Sequence, residues 1–150
     1  MKTFTLIIFL FFSTCIYASS ELSGLWTGSG QLQIKGRPTS EDCQLTLEIQ
    51  QTPTTFTVIK SDYNCPSMHI KNKAQNTLQI TDHRLYLNGF ERGYIDDTTM
   101  YSFYNTADGL IQSYLMKFDM NSETLVYSDQ VDWSKGLSTT LSGNLKKKTP

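Results

Sequence analysis

The sequence predicts an all-β fold: a single antiparallel up-and-down β-barrel of about 8–10 strands with one disulfide. Three observations lead there. Apolar and polar residues alternate along most of the chain. Turn-forming clusters interrupt the alternation at short intervals. No stretch of a dozen residues repeats with a helical period, although a short helix is compatible with Pro66 to Ala74.

The alternation is clearest where Cys43, Leu45, Leu47 and Ile49 interleave with Gln44, Thr46, Glu48 and Gln50. Such a strand has one buried and one wet face. A second strand is expected from Thr55 to Lys60, where Phe56 and Val58 suggest one inward face and Ile59 the other, so a bulge is open there. Leu78 with Ile80, and Leu85 with Leu87, are shorter versions. Tyr114, Met116 and Phe118 form one inward row, and Leu125, Tyr127, Val131 and Trp133 another. The last strand is expected from Leu137 to Leu145. Connections are expected at Gly36-Arg37-Pro38, around Pro53, at Asn64-Cys65-Pro66, Thr81-Asp82-His83-Arg84, Asn88-Gly89, Asp96-Asp97, Ala107-Asp108-Gly109, Asn121-Ser122-Glu123 and Ser134-Lys135-Gly136.

Residues 1–20 read as a signal peptide: Lys2, then the apolar run Leu6 to Phe12, then small residues at Ala18, Ser19 and Ser20. The run is too short to span a bilayer, which takes about 20 apolar residues. Cleavage after Ser20 or after Ala18 fits. Residues 21–150 then form one domain in a secreted or periplasmic protein with no membrane span. Cys15 would be discarded with the leader; lipid anchoring through it is the minority alternative, because Phe12 and Thr14 depart from the usual lipoprotein pattern. Removing 20 residues, Lys2 among them, leaves 130 residues with 12 basic and 14 acidic side chains, a net charge of −2. The one basic cluster is Lys146-Lys147-Lys148, so no nucleic-acid groove is expected.

Cys43 and Cys65 remain, and an even count in an exported chain implies a disulfide. It would close a loop of 22 residues at the base of the hairpin around Pro53. In the chain-entropy account such a loop is worth roughly 3 kcal/mol. Zinc on these thiols and His69 is the poorer reading, since exported thiols pair; no metal or cofactor is expected.

Gly24-Leu25-Trp26-Thr27-Gly28-Ser29-Gly30 resembles the opening strand of the calycin group, the lipocalins and their relatives. The resemblance implies that Trp26 plugs the closed end of a barrel, with a basic residue of the last strand over its ring; Lys146 is the candidate. The same start also resembles nitrobindin, a haem barrel. That family has a late histidine ligand, and none follows Asp97 here. A looser resemblance, to bacterial alkaline protease inhibitors, rests on Leu22-Ser23-Gly24-Leu25-Trp26, one cysteine pair and Leu145 followed by lysines. It implies that Ser19 to Ser23 would enter a protease cleft.

The inventory for catalysis is thin, and no enzymatic activity is expected. His69 and His83 read as surface residues, Asp96-Asp97 as a hairpin tip, and Asp119 to Glu123 lacks the later glycine and glutamate of a calcium loop. Asp129 falls on the inward row of Tyr127. It either faces a lumen, pairing with a ligand, Arg84 or Arg92, or is turned outward by a bulge. Tyr114, Tyr127 and Asp129 are therefore the candidate ligand-binding residues, and Trp26, Cys43, Cys65 and Lys146 the structural ones. The expected function is non-enzymatic binding of a small apolar ligand, with protease inhibition as the alternative. Oligomeric state is not legible.

Overall fold

The computed structural model describes residues 22–73, 76–105, 109–119, 122–133 and 136–148. The expected leader, Cys15 within it, and parts of the expected turns (Ala107-Asp108, Asn121 and Ser134-Lys135) lie outside these. The described residues form β1 (Gly24–Ile34), β2 (Glu41–Gln51), β3 (Thr55–Cys65), β4 (Met68–Lys73), β5 (Leu78–Thr81), β6 (Arg84–Leu87), β7 (Phe90–Ile95), β8 (Thr99–Asn105), β9 (Ile111–Asp119), β10 (Thr124–Asp132) and β11 (Ser138–Lys147). No helix occurs among them. Where a short helix was compatible with the sequence, Met68 to Lys73 extend instead as β4, because they pair residue for residue with Lys60 to Cys65.

All pairings are antiparallel, and the sheet closes on itself through β2–β3 and β1–β11 into a ten-stranded barrel with β4 as an extra strand. Closure pairs β2 with β3 and leaves β4 at the end of the sheet order, paired with β3 alone. Two-residue turns of positive φ, Asp82-His83 and Asn88-Gly89, join β5 to β6 and β6 to β7, matching the twist of tight hairpins.

Two bulges set which side chains face inward. The β2–β3 register shifts between Glu48 and Ile49, with Ile59 as the extra residue. Phe56 and Val58 face the core before it; Ser61, Tyr63 and Cys65 face it after. The β6–β7 register shifts between Leu85 and Tyr86, leaving Arg92 as the extra residue. Gly93 follows at φ 144°, and a Cβ there would lie 1.9 Å from the Tyr101 carbonyl oxygen, so β7 approaches β8 more closely than any other residue allows.

Trp26 is fully buried in the core. Its indole Nε1 donates to the Leu22 carbonyl at 2.8 Å, and the Phe118 ring meets it edge-on with centroids 5.4 Å apart. The cation over the ring is Lys147, with Nζ 5.6 Å from the centroid, rather than Lys146. Register is the reason: Trp26 lies opposite Lys147, and Lys146 lies opposite Thr27, on the other face of the sheet. Replacing Lys147 by methionine should therefore cost about 1 kcal/mol in a urea titration, within the range of a partly desolvated cation–π contact, while Lys146→Met should cost nothing measurable.

Cys43 and Cys65 form the expected disulfide, with Cα atoms 4.3 Å apart. They stand beside the Gln44–Asn64 pair and pin the open end of the β2–β3 hairpin. Trp133 departs from its expected inward row: β10 ends at Asp132, and the indole is 49% exposed.

Candidate functional site

The inner wall changes character from one end of the barrel to the other. On β8, β9 and β10 the inward rows begin near Trp26 with Met100, Phe118, Met116 and Leu125. They continue toward the far end as Ser102 and Tyr104, Tyr114 and Gln112, and Tyr127 and Asp129. Tyr127, Met116, Asp129 and Tyr114 sit in one patch because β9 and β10 place Tyr127 opposite Met116 and Asp129 opposite Tyr114.

Asp129 faces inward and is 8% exposed, so no bulge turns it to solvent. Neither arginine pairs with it. Arg84 binds Glu91 at 3.1 Å on the surface, and the Arg92 guanidinium lies 5.9 Å from the ring centroids of both Phe90 and Tyr104. The carboxylate instead accepts from Gln112 Nε2, at 3.1 Å to Oδ1 and 3.4 Å to Oδ2. The Tyr127 and Tyr63 hydroxyls are 2.6 Å apart and hydrogen-bonded, and Ser61, buried on the same inward row of β3, stands two residues before Tyr63. Ser61, Tyr63, Tyr127, Asp129, Gln112 and Tyr114 therefore form one polar cluster across β3, β10 and β9, joined by the Tyr63–Tyr127 and Gln112–Asp129 hydrogen bonds.

The electrostatics follow from burial. Desolvation pushes the Asp129 carboxyl up to about 6, against the opposing pull of its bond from Gln112. Burial likewise raises Tyr63 to about 12 and lifts Tyr114 and Tyr127 well above the ordinary phenol value, with the Asp129 charge adding to each. These hydroxyls stay protonated at any physiological pH and serve as neutral donors and acceptors.

Beside the cluster, where β3 meets β5 across from β8 and β9, lies a cavity of about 10 Å³ touched by Phe56, Leu78, Ser102, Tyr104, Tyr114 and Met116. That is about the space of one water. Side chains fill the interior around it, with Leu45 occupying the space that Cβ atoms on Gly30 and Gly143 would need. The structure thus brings together Tyr114, Tyr127 and Asp129, all singled out from sequence, and adds Tyr63, Ser61 and Gln112, which were not. Alternation would have found Tyr63 only if the Ile59 bulge had been placed first.

His69 and His83 are both on the surface; His69 Nε2 lies 3.0 Å from Asp62 Oδ1. No group of three metal-ligating side chains occurs among the described residues. Leu22 and Ser23, expected within a free N-terminal arm, are held by the barrel. Leu22 is fully buried, and Ser23 Oγ donates to the Gln51 carbonyl at 3.1 Å and accepts from Gln51 N at 2.8 Å.

The fold defines a class, a closed all-β antiparallel barrel compatible with a calycin-like architecture. No family model matches the chain, and no curated protein matches it. The disulfide points to a non-reducing compartment, and no helix among the described residues is long and apolar enough to cross a membrane.

Proposed function

We propose that this is an exported, non-enzymatic binding protein that holds a small ligand at the polar end of its barrel. The observation that carries the reading is the largely buried polar cluster around Asp129, with its bonds between Tyr63 and Tyr127 and between Gln112 and Asp129. A barrel needing only a stable core gains nothing from a carboxylate held in a poorly solvated wall. Perturbed acids in concave sites are where recognition concentrates. The lining sharpens the expected ligand: an apolar body against Phe56, Leu78 and Met116, with one hydrogen-bonding group for Asp129 or the tyrosines. With room for about one water, the cavity admits it only as side chains such as Tyr104 move aside.

The signal-peptide reading and the disulfide support export together. Both histidines lie on the surface, away from Asp129, and the reading of the site is binding rather than catalysis. A second reading, protease inhibition, is favoured by one observation, the side-chain-filled interior. The segment that would enter the protease is then shorter than Ser19 to Ser23, since Leu22 and Ser23 belong to the barrel.

Native mass spectrometry of protein isolated from its source tests both. The expected species is the chain cleaved near Ser20, oxidised at Cys43 and Cys65, carrying a small molecule. Asp129→Asn and Tyr114→Phe should weaken that ligand by about tenfold each, the scale of one hydrogen bond to a charged or buried group. Undiminished ligand in both variants would place the site elsewhere. A protease recovered in place of a small molecule would favour the second reading.

A further inference from the structure

The barrel wall is notched beside β4. Along one edge of β3, β4 pairs with Lys60 to Cys65 and β5 with Thr55 and Phe56, so the two are successive halves of one run. β6 continues the wall beyond β5, but among the described residues nothing continues it beyond β4. The register of β5 with β6 brings the Asn88-Gly89 tip of the next hairpin level with Asn76 and Thr77, just short of β4. On the far side of the notch, β7 pairs with β8 only through Met100 to Ser102, and Phe103 to Asn105 pair with β9 alone. Among the described residues, β4 is the one strand with a whole edge unpaired.

An unpaired edge offers a row of backbone donors and acceptors to any extended chain. The side chains of β4 decide which chain. Met68 and Ile70 turn inward onto the core, while His69, Lys71 and Lys73 are exposed on the outer face. Lys60 stands directly beside Lys73 on β3. The acids of this face lie on the inner strands: Glu48 is across from Lys60, and Asp62 is engaged by His69 at 3.0 Å and Lys71 at 3.7 Å. The outermost row is therefore basic, with no acid on β4 itself. A second copy of β4 laid antiparallel would set lysine against lysine or histidine, which disfavours self-pairing.

We propose that the outer edge of β4 is a docking site for an extended acidic segment of another protein, which adds to the barrel as a strand. Its backbone pairs with Met68 to Lys73, and its acidic side chains meet Lys71 and Lys73. This surface is separate from the interior site and does not rest on the ligand-binding reading.

Full-length oxidised protein, titrated with a capped peptide of about ten residues alternating glutamate and valine, tests it by amide hydrogen exchange. The peptide should slow exchange in β4 and leave β8–β10 unchanged. The double variant Lys71→Gln, Lys73→Glu should bind it about tenfold more weakly while melting within a few degrees of the parent, since both side chains are exposed. A matched lysine–valine peptide and an N-methylated glutamate–valine peptide should not protect β4. Three results would overturn the proposal: no protection at millimolar peptide, equal protection by the N-methylated peptide, or protection of β4 that rises with protein concentration alone, which would place a second copy there.

Discussion

Trp26→Ala should destabilise the barrel by about 3–5 kcal/mol, the range for emptying a fully buried tryptophan site. That is a large share of the 5–15 kcal/mol that holds a typical domain together. The loss has three parts in this fold. The indole volume is removed from beside Phe118, whose edge-on contact disappears with it. The Leu22 carbonyl, buried with its residue, loses the donor that satisfies it. Lys147 loses the ring beneath its ammonium group. Trp26→Phe should cost less, because it keeps a ring while losing the N–H donor. Urea unfolding followed by far-ultraviolet circular dichroism would measure both. A loss below about 1 kcal/mol for alanine would mean that Trp26 is not the plug of this end.

The burial of Trp26 was implied in the sequence only by the resemblance of its Gly-x-Trp opening to the first strand of calycin barrels. Which lysine covers the ring was not legible. Choosing between Lys146 and Lys147 requires the β1–β11 register, and a one-residue slip moves a side chain to the opposite face. The same arithmetic separates what was foreseen in the site from what was not. Tyr114 and Tyr127 lie on unbroken alternating strands, so their facing follows from parity, whereas the facing of Asp129, open in the sequence between the lumen and an outward bulge, is fixed by an unbroken β10. Tyr63 lies beyond the Ile59 bulge, and Arg92 is itself a bulge residue. Trp133 shows the opposite failure: parity carried past the end of β10 assigns it to a core that it does not enter. β4 was hidden for another reason. Six residues with only Met68 and Ile70 as apolar markers give too weak a pattern, and it is pairing with β3 that makes them a strand.

Asp129 supplies the second large effect, and its sign is unusual for a carboxylate. In the folded barrel its proton is held up to about pH 6; in the unfolded chain it leaves at the ordinary value of 3.8. Between these values the folded state binds more protons, so stability falls as pH rises from about 4 to about 6 and levels off above. The gap corresponds to about 3 kcal/mol. Asp129→Asn keeps an acceptor for Gln112 and removes the charge. It should flatten the profile and raise stability at pH 8 by up to about 3 kcal/mol, roughly 10 °C in melting temperature for a domain of this size. Below about pH 4 the two proteins should melt alike. A wild-type profile flat between pH 4 and 7 would show that Asp129 is well solvated or better paired than its 8% exposure and its bond from Gln112 imply. The same experiment bears on recognition. A ligand that donates to the carboxylate repays part of the burial cost only when Asp129 is ionised, so it should bind more tightly as pH rises through 6 and restore the stability lost there. Asp129→Asn, more stable and indifferent to pH, should lose that gain, since the carboxylate that strains the empty barrel is the one the ligand would satisfy.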